Sequence, residues 1–174
     1  MDDPKADVST VGIVGYGEVG SSFAKCFHDA GVDVIVLNRS PIALRNRLFG
    51  TPIAVADDPS DLARATDIVL SCVWPATAVD VVKRVAPGLG DGQPFLDVNS
   101  VGPPTVERIV DIVDQAGGAP LKATIMGSVG SRGADVRLLV AGVERYGTVS
   151  LLRECGFTVD DAGDDPVAPA AIKM

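Results

Sequence analysis

Three glycines at a fixed spacing follow a short apolar run near the start of the chain. Residues 11–20 read Val-Gly-Ile-Val-Gly-Tyr-Gly-Glu-Val-Gly. In a G-x-G-x-x-G loop between a strand and a helix, the first glycine permits a tight turn, the second lets the backbone approach a ligand, and the third lets the helix pack on the sheet. The free N–H groups of the helix start face negative charge. We therefore predict a turn that binds the pyrophosphate of a dinucleotide, formed by Gly15, Tyr16, Gly17, Glu18, Val19 and Gly20.

The residues after this loop have the spacing of a helix and then of a strand. Gly31 ends the predicted helix, and an apolar run over 32–37, interrupted only by Asp33, predicts the next strand. A strand, a helix and a second strand within about 30 residues form the βαβ unit that the glycine motif requires. The apolar stripe of the helix consists of Val19, Phe23, Cys26, Phe27 and Ala30.

The end of the second predicted strand indicates which cofactor the turn accepts. Domains that bind NAD carry an Asp or Glu there, which accepts hydrogen bonds from the ribose hydroxyls. This chain has Asn38, Arg39 and Ser40 instead. A guanidinium can bind a 2′-phosphate, which a carboxylate would repel, so we predict NADP rather than NAD. The alternative is that Arg39 is an ordinary exposed cation near Arg45 and Arg47.

Strand and helix patterns continue to alternate along the chain, which predicts an α/β fold with a doubly wound, mostly parallel sheet, the Rossmann arrangement. Ligands of such sheets bind beyond the carboxyl ends of the strands. The segments after strands are therefore the candidate binding residues: 15–17, 38–39, 73–75, 99–100 and 126–128. Further strands are predicted at 53–55, 67–73, 95–98, 120–125, 136–141 and 157–159, and helices at 42–49, around Leu62, at 76–86, from Pro103 onward and at about 144–154.

Composition excludes several function classes. With 174 residues, the chain is long enough for one core, and its net charge of −8 disfavours a nucleic-acid surface. No apolar run reaches the roughly 20 residues of a membrane helix, and residues 1–10 are polar and acidic. The cysteines Cys26, Cys72 and Cys155 form no C-x-x-C pair, which predicts free thiols and no metal site. We expect a cytoplasmic protein.

Three segments in order resemble the β-hydroxyacid dehydrogenases, the family of 6-phosphogluconate and 3-hydroxyisobutyrate dehydrogenases. The start 15–20 is similar to the family's Gly-Phe/Tyr-Gly-Glu-Val/Ala-Gly branch. Residues 96–103, Leu-Asp-Val-Asn-Ser-Val-Gly-Pro, resemble its D-x-N-S-x-x-P segment, and residues 170–174, Ala-Ala-Ile-Lys-Met, resemble the helix that carries its catalytic lysine. The resemblance covers nearly the whole chain.

The resemblance implies roles for individual residues. Asn99 would lie near the nicotinamide and Ser100 near the substrate, while Lys173 would move a proton at the substrate hydroxyl. Asn99 and Ser100 could instead simply form a turn or a cap before Pro103, and Lys173 could be only a charged chain end. The residues Val73, Trp74 and Pro75 would border the cofactor ribose, and the substrate would also contact Gly127 and Ser128.

This sequence departs from the family pattern at two places. The family has a Ser-Gly-Gly substrate loop where this chain has Met126-Gly127-Ser128. Ser131 and Arg132 beyond it could bind a carboxylate or belong to a flexible hairpin. The family also continues into a helical domain that closes the site across a homodimer, whereas this chain stops one residue after Lys173. We therefore expect a flexible start at 1–9, an NAD(P)-binding domain over 10–168, and the start of a truncated helix over 169–174, with poor turnover alone.

Three functions follow as hypotheses. The first is an NADP-dependent oxidoreductase that transfers hydride to or from a small hydroxy acid. The second is an imine reductase, which shares a cofactor segment similar to Asn38-Arg39-Ser40. The third is a non-catalytic module that binds NADP or a partner.

Overall fold

Strands and helices alternate along the computed structural model, which describes residues 8–127 and 136–172. The strands are β1 (Thr10–Val14), β2 (Asp33–Leu37), β3 (Ala54–Val55), β4 (Ile68–Ser71), β5 (Pro94–Asp97), β6 (Ala119–Met126), β7 (Arg137–Ala141) and β8 (Thr158–Asp161). The helices are α1 (Glu18–Asp29), α2 (Pro41–Arg47), α3 (Pro59–Arg64), α4 (Ala78–Val85), α5 (Pro103–Gln115), α6 (Arg145–Glu154) and α7 (Ala168–Ile172). Short 3₁₀ turns at Pro75–Thr77 and Ala86–Gly88 flank α4.

All these strands belong to one sheet of order β3-β2-β1-β4-β5-β6-β7-β8. Neighbouring strands are parallel from β3 to β6, β7 is antiparallel to β6, and β8 is parallel to β7. β2 and β3 lie on one side of β1, whereas β4 and the later strands lie on the other side. The direction in which successive strands are added therefore reverses between β1 and β4. This arrangement confirms the predicted doubly wound, mostly parallel sheet, and it places a crevice at the carboxyl ends of β1 and β4.

Two apolar cores cover the two faces of the sheet. Successive residues of a strand point to opposite faces, so Ile13 joins the core that contains Phe23 and Phe27 of α1, while Val14 joins the other core. Helices α1, α2 and α6 pack on the first face. Helices α3, α4 and α5 pack on the second. Among the described residues, no helix has both the length and the apolar character needed to cross a bilayer.

The sequence prediction differs from the structure at several element ends. The short helix predicted around Leu62 is α3, which begins at Pro59 because the Asp58 carboxylate accepts a hydrogen bond from the backbone N–H of Ser60 at 2.8 Å. The predicted helix over 76–86 is α4 with a 3₁₀ turn at each end. Ala30, assigned to the apolar stripe of the first helix, is exposed because α1 ends at Asp29.

A buried arginine holds the far edge of the sheet. The Arg145 guanidinium, 6% exposed, donates to Asp161 at 2.5 Å, to Asp164 at 2.6 Å and to the Gly142 carbonyl at 2.9 Å. The hydrogen bond to the Asp161 carboxylate raises the pKa of Arg145 and lowers the pKa of Asp161. Arg145 therefore ties the start of α6 to the end of β8.

The stacked aromatic pair Phe23 and Phe157 gives a test of the first core. Phe23 is fully buried and its ring centroid lies 4.7 Å from that of Phe157. We expect Phe23→Ala to lower the free energy of unfolding by about 3–5 kcal/mol, because it opens a cavity in a packed core. Urea denaturation measures this loss. The matched control is Phe49→Ala at a side chain 91% exposed, with a change of about 0.5 kcal/mol or less. Equal losses for both variants would contradict the assignment of this core.

Candidate functional site

The glycine loop closes tightly on its neighbours at two positions. Gly15 has a φ of +99°, and a Cβ atom there would lie 2.1 Å from the Cys72 carbonyl oxygen in the loop after β4. A Cβ atom on Gly20 would lie 1.9 Å from the Gly15 carbonyl oxygen. Any side chain at either position would push the loop away from β4 or away from α1. These glycines have the roles that the motif predicts, a tight turn and close packing of the helix.

Gly17 differs because the space beside it is open. It is the N-cap residue of α1, its φ of −87° is available to other residues, and a Cβ atom there would meet nothing within 4 Å. No side chain caps the helix at this end. The N–H groups of the first turn of a helix carry partial positive charge and can bind an anion. The opening above Gly17 therefore fits the pyrophosphate of a dinucleotide.

The segment after β2 presents a cation beside this turn. Asn38, Arg39 and Ser40 are all exposed, and Ser40 caps α2 through a hydrogen bond from the Ala43 N–H. Arg45 pairs with Asp57 at 2.6 Å. Within the ranges 8–127 and 136–172, Arg39 makes no ion pair with any carboxylate.

Tyr16, inside the loop, is buried, and its ring is covered by the guanidinium of Arg47 at 5.2 Å from the centroid. This is a cation–π contact. The Tyr16 ring therefore supports the loop from below, and Arg47 is engaged there.

A cavity of about 300 Å³ opens beyond the carboxyl ends of β1, β4, β5 and β6. A second cavity of about 240 Å³ adjoins it on the side of β6 and α7 and shares four of its residues. Ser100, exposed at the end of β5, lines both. The first cavity is lined by Glu18, Val19, Cys72, Val73, Pro75, Val98, Asn99, Ser100, Ile125 and Gly127. The second adds Val101, Gly102, Lys122, Thr124 and Ala170.

Seven of the predicted site residues line the first cavity: Glu18, Val19, Val73, Pro75, Asn99, Ser100 and Gly127. Trp74 lies between the lining residues Val73 and Pro75, but its side chain is 75% exposed. Lys173 and Ser128, together with Ser131 and Arg132, lie outside the described residues.

Cys72 has a thiol that stays protonated. Burial raises the pKa of Cys72 to about 12, and the nearby Asp97 carboxylate adds to the shift. A thiol with this pKa is not a nucleophile at neutral pH. Cys72 therefore contributes shape, not covalent chemistry, to the wall of the first cavity.

Asn99 has its side chain turned into the protein. Its Nδ2 group donates to Ser71 Oγ at 3.0 Å and to Asp97 Oδ1 at 2.5 Å, while its Oδ1 accepts from the Val73 N–H at 2.7 Å. Neither Asn99 nor Ser100 caps α5, because the N-cap is Gly102 with Pro103 at the first helical position. The backbone from Asn99 to Val101 instead forms a tight turn, closed by the hydrogen bond from the Val101 N–H to the Asn99 carbonyl at 3.0 Å. Asn99 ties the loop after β4 to the end of β5.

A buried ion pair under the cavities escaped the sequence analysis. Lys122 Nζ lies 2.8 Å from Asp97 Oδ2, and both side chains are almost completely buried. Ser71, Asp97 and Lys122 are direct partners on the adjacent strands β4, β5 and β6. The available signal was one charged residue of each sign inside strand patterns that were otherwise apolar, since such charges are seldom buried unless paired.

Comparisons with known proteins agree with this geometry. The family profile of the NAD-binding domain of 6-phosphogluconate dehydrogenase matches residues 10–150. The cytokine-like nuclear factor N-PAC of Anopheles gambiae is 30% identical over 155 residues, which are 87% of this chain and 26% of N-PAC.

Two solved structures share the fold over almost the whole chain. A conserved hypothetical protein from Sinorhizobium meliloti 1021 has a TM-score of 0.86 and 27% identity, covering 98% of this chain and 59% of that one. An imine reductase from Pseudomonas sp. has a TM-score of 0.84 and 26% identity, covering 95% of this chain and 59% of that one. This chain therefore spans about three fifths of these two structures and about a quarter of N-PAC. Because the profile covers well over half of its residues, the chain belongs to the family of the NAD-binding domain of 6-phosphogluconate dehydrogenase.

Proposed function

We propose that this chain binds NADP and is the cofactor-binding part of an oxidoreductase that transfers hydride to or from a small hydroxy acid. The observation that carries this proposal is the open space above Gly17 at the uncapped start of α1. The pyrophosphate would receive hydrogen bonds from the backbone N–H groups of this turn. The nicotinamide, when bound, supplies or accepts the hydride.

Arg39 supports NADP over NAD. No carboxylate stands at the end of β2, and Asn38 Oδ1 accepts a hydrogen bond from the Arg39 N–H at 2.9 Å. The exposed guanidinium makes no ion pair with a described residue, in contrast to that of Arg45. It is therefore available to a 2′-phosphate, which it can bind through two parallel hydrogen bonds.

The substrate side of the proposal concerns Ser100, Gly127 and Lys173. Ser100 and Gly127 line the first cavity, where a hydroxyl and a backbone can hold the polar end of a small substrate. Asn99 would hold the floor of this cavity. In the oxidation direction, Lys173 would take the proton of the substrate hydroxyl as a neutral amine while hydride leaves the carbon. In the reverse direction, its ammonium would stabilise the developing alkoxide and return that proton. The hydroxyl of Ser128 would be a second hydrogen-bonding partner for the substrate.

An imine reductase is a second candidate. It is favoured by the likeness to the imine reductase from Pseudomonas sp., at 26% identity over 95% of this chain. The segment Asn38-Arg39-Ser40 and the crevice suit either substrate class. Only the group that meets the hydride differs, a carbonyl carbon in one case and an imine carbon in the other.

A non-catalytic module is the third candidate. It is favoured by the match to N-PAC, which is named a nuclear factor. We keep a cytoplasmic location as a proposal, which the free cysteines Cys26, Cys72 and Cys155 support because free thiols are typical of reducing compartments. We also propose that the complete enzyme is a homodimer.

Gly17 and Gly20 test the pyrophosphate site. Gly17→Ala should leave the free energy of unfolding within about 0.5 kcal/mol of wild type, because the added methyl group meets no protein atom within 4 Å. It should weaken NADPH binding at least about tenfold, or 1.4 kcal/mol, by occupying the ligand's space. Nicotinamide fluorescence and thermal unfolding measure the two effects. Gly20→Ala is the contrasting variant, with a stability loss of about 1–3 kcal/mol or more. Unchanged NADPH affinity in Gly17→Ala would refute the placement.

Arg39 tests the cofactor preference. We expect wild type to bind NADPH at least about tenfold more tightly than NADH, and Arg39→Ala to remove most of that difference. Fluorescence titration with both cofactors measures the ratio. The charge-matched control is Arg108→Ala on the exposed side of α5, which should leave the ratio unchanged. Equal losses for NADPH and NADH in Arg39→Ala would remove the case for NADP.

Turnover separates the three candidate functions. The chain is supplied with NADP and small 3-hydroxy acids, or with NADPH and cyclic imines, and absorbance of the reduced nicotinamide is followed. We expect slow oxidation of a hydroxy acid, which Ser100→Ala reduces further because a substrate contact is lost. Reduction of imines alone would favour the second candidate. Tight NADPH binding without any turnover would favour the third.

A further inference from the structure

A row of polar side chains crosses the sheet under the two cavities. Ser71, Asp97 and Lys122 are direct register partners on β4, β5 and β6, so their side chains point to the same face. All of them are buried. Burying an ammonium and a carboxylate is costly unless they pair closely and satisfy further hydrogen bonds. A buried pair of opposite charges inside the sheet needs a reason beyond packing.

Lys122 holds the point at which β5 turns into the site loop. Its Nζ donates to Asp97 Oδ2 at 2.8 Å, to the Asp97 carbonyl at 3.2 Å and to the Asn99 carbonyl at 2.5 Å. The Asn99 carbonyl also accepts from the Val101 N–H at 3.0 Å. Ser100 lies between these bonded residues. The ammonium thereby fixes the backbone that presents Ser100 to both cavities.

Asn99 transmits this position to the loop after β4. Its side chain accepts from the Val73 N–H at 2.7 Å, and the Val98 N–H donates to the Ser71 carbonyl at 3.0 Å. Val73 and Asn99 both line the first cavity. One continuous chain of hydrogen bonds therefore runs from Lys122 on β6 through Asn99 to Val73. It joins the middle of β6 to the carboxyl ends of β4 and β5, at the floor of the crevice.

Lys122 acts on this floor from inside the protein. The residue is 1% exposed, and the Asp97 carboxylate balances its charge. It borders the second cavity, beside Thr124 and Ala170, without facing bulk solvent. An ammonium bound in this way orients neighbouring groups and adds little net charge for a ligand.

The polar row lies under the part of the sheet that would hold only one half of a dinucleotide. In a doubly wound sheet, each half of the sheet holds one nucleotide of the cofactor, and the adenosine ribose lies at the end of β2. The nicotinamide half then lies over β4, β5 and β6. The row lies under that half only, and the glycine loop and Arg39 serve the other.

We propose that Lys122 is a positioning residue. Through Asn99, it fixes the backbone on the nicotinamide side of the crevice, and it leaves the adenosine side unaffected. This inference rests on the proposed binding of NADP. The proposal predicts different effects on the two halves of the ligand, so a test can compare the binding of the whole cofactor with the binding of its adenosine part.

The experiment measures two affinities for each variant of the full 174-residue chain. NADPH is titrated by nicotinamide fluorescence, and adenosine 2′,5′-bisphosphate by calorimetry. We expect Lys122→Met to weaken NADPH binding at least about tenfold and to change the affinity for the bisphosphate less than about twofold. The emission of bound NADPH should also shift towards that of the free cofactor, because its ring is held less firmly. The control Lys83→Met, at an exposed lysine of α4, should change neither affinity.

Asn99→Ala keeps the test decisive if Lys122→Met does not fold. This variant leaves the ion pair between Lys122 and Asp97 in place and removes the side-chain hydrogen bonds that join Asn99 to Val73, Ser71 and Asp97. We expect the same selective loss of NADPH affinity. Parallel losses for both ligands, or no loss for either, would overturn the positioning role. Failure of the wild-type chain to bind either ligand would overturn the proposed function itself.

Discussion

The rest of the structure depends on the lack of a side chain at three glycines in or near β1, namely Gly12, Gly15 and Gly20. A Cβ atom on Gly12 would lie 2.4 Å from Leu62 of α3, and one on Gly15 or Gly20 would meet backbone oxygen at about 2 Å. These glycines let α3, the β4 loop and α1 all approach the same strand. β1 lies at the point where the strand order reverses, which is where a crevice forms at the carboxyl ends of the strands. The walls of this crevice can form because the neighbours of β1 pack so closely against it.

The electrostatics of the site are local. The chain has a net charge of −8, which repels a phosphate-bearing ligand at long range. In the function that we propose, attraction comes from groups in contact with the ligand, namely backbone N–H groups at the start of α1 and the guanidinium of Arg39. Deeper in the sheet, Lys122 pairs with Asp97. The proposed binding charge is therefore separate from the charge that holds the framework.

Local patterns predicted most of the fold and seven of the residues that line the first cavity. The glycine loop, the helix with Phe23 and Phe27, and the alternation of strands and helices along the chain are properties of short segments with clear periodicity. The partner of Lys122 was not visible because the register between β5 and β6 depends on tertiary packing. The inward turn of the Asn99 side chain was missed for the same reason, since its partners lie on β4 and β5.

Trp74 provides the crevice with an intrinsic optical reporter. It is the only tryptophan of the chain, its indole is 75% exposed, and both of its sequence neighbours line the first cavity. Indole emission depends on the polarity around the ring, and it overlaps the absorption band of a reduced nicotinamide. All tryptophan fluorescence of this chain therefore comes from a residue beside the crevice. Quenching and energy transfer at Trp74 would follow a ligand's arrival in real time, on the native sequence and without an attached dye.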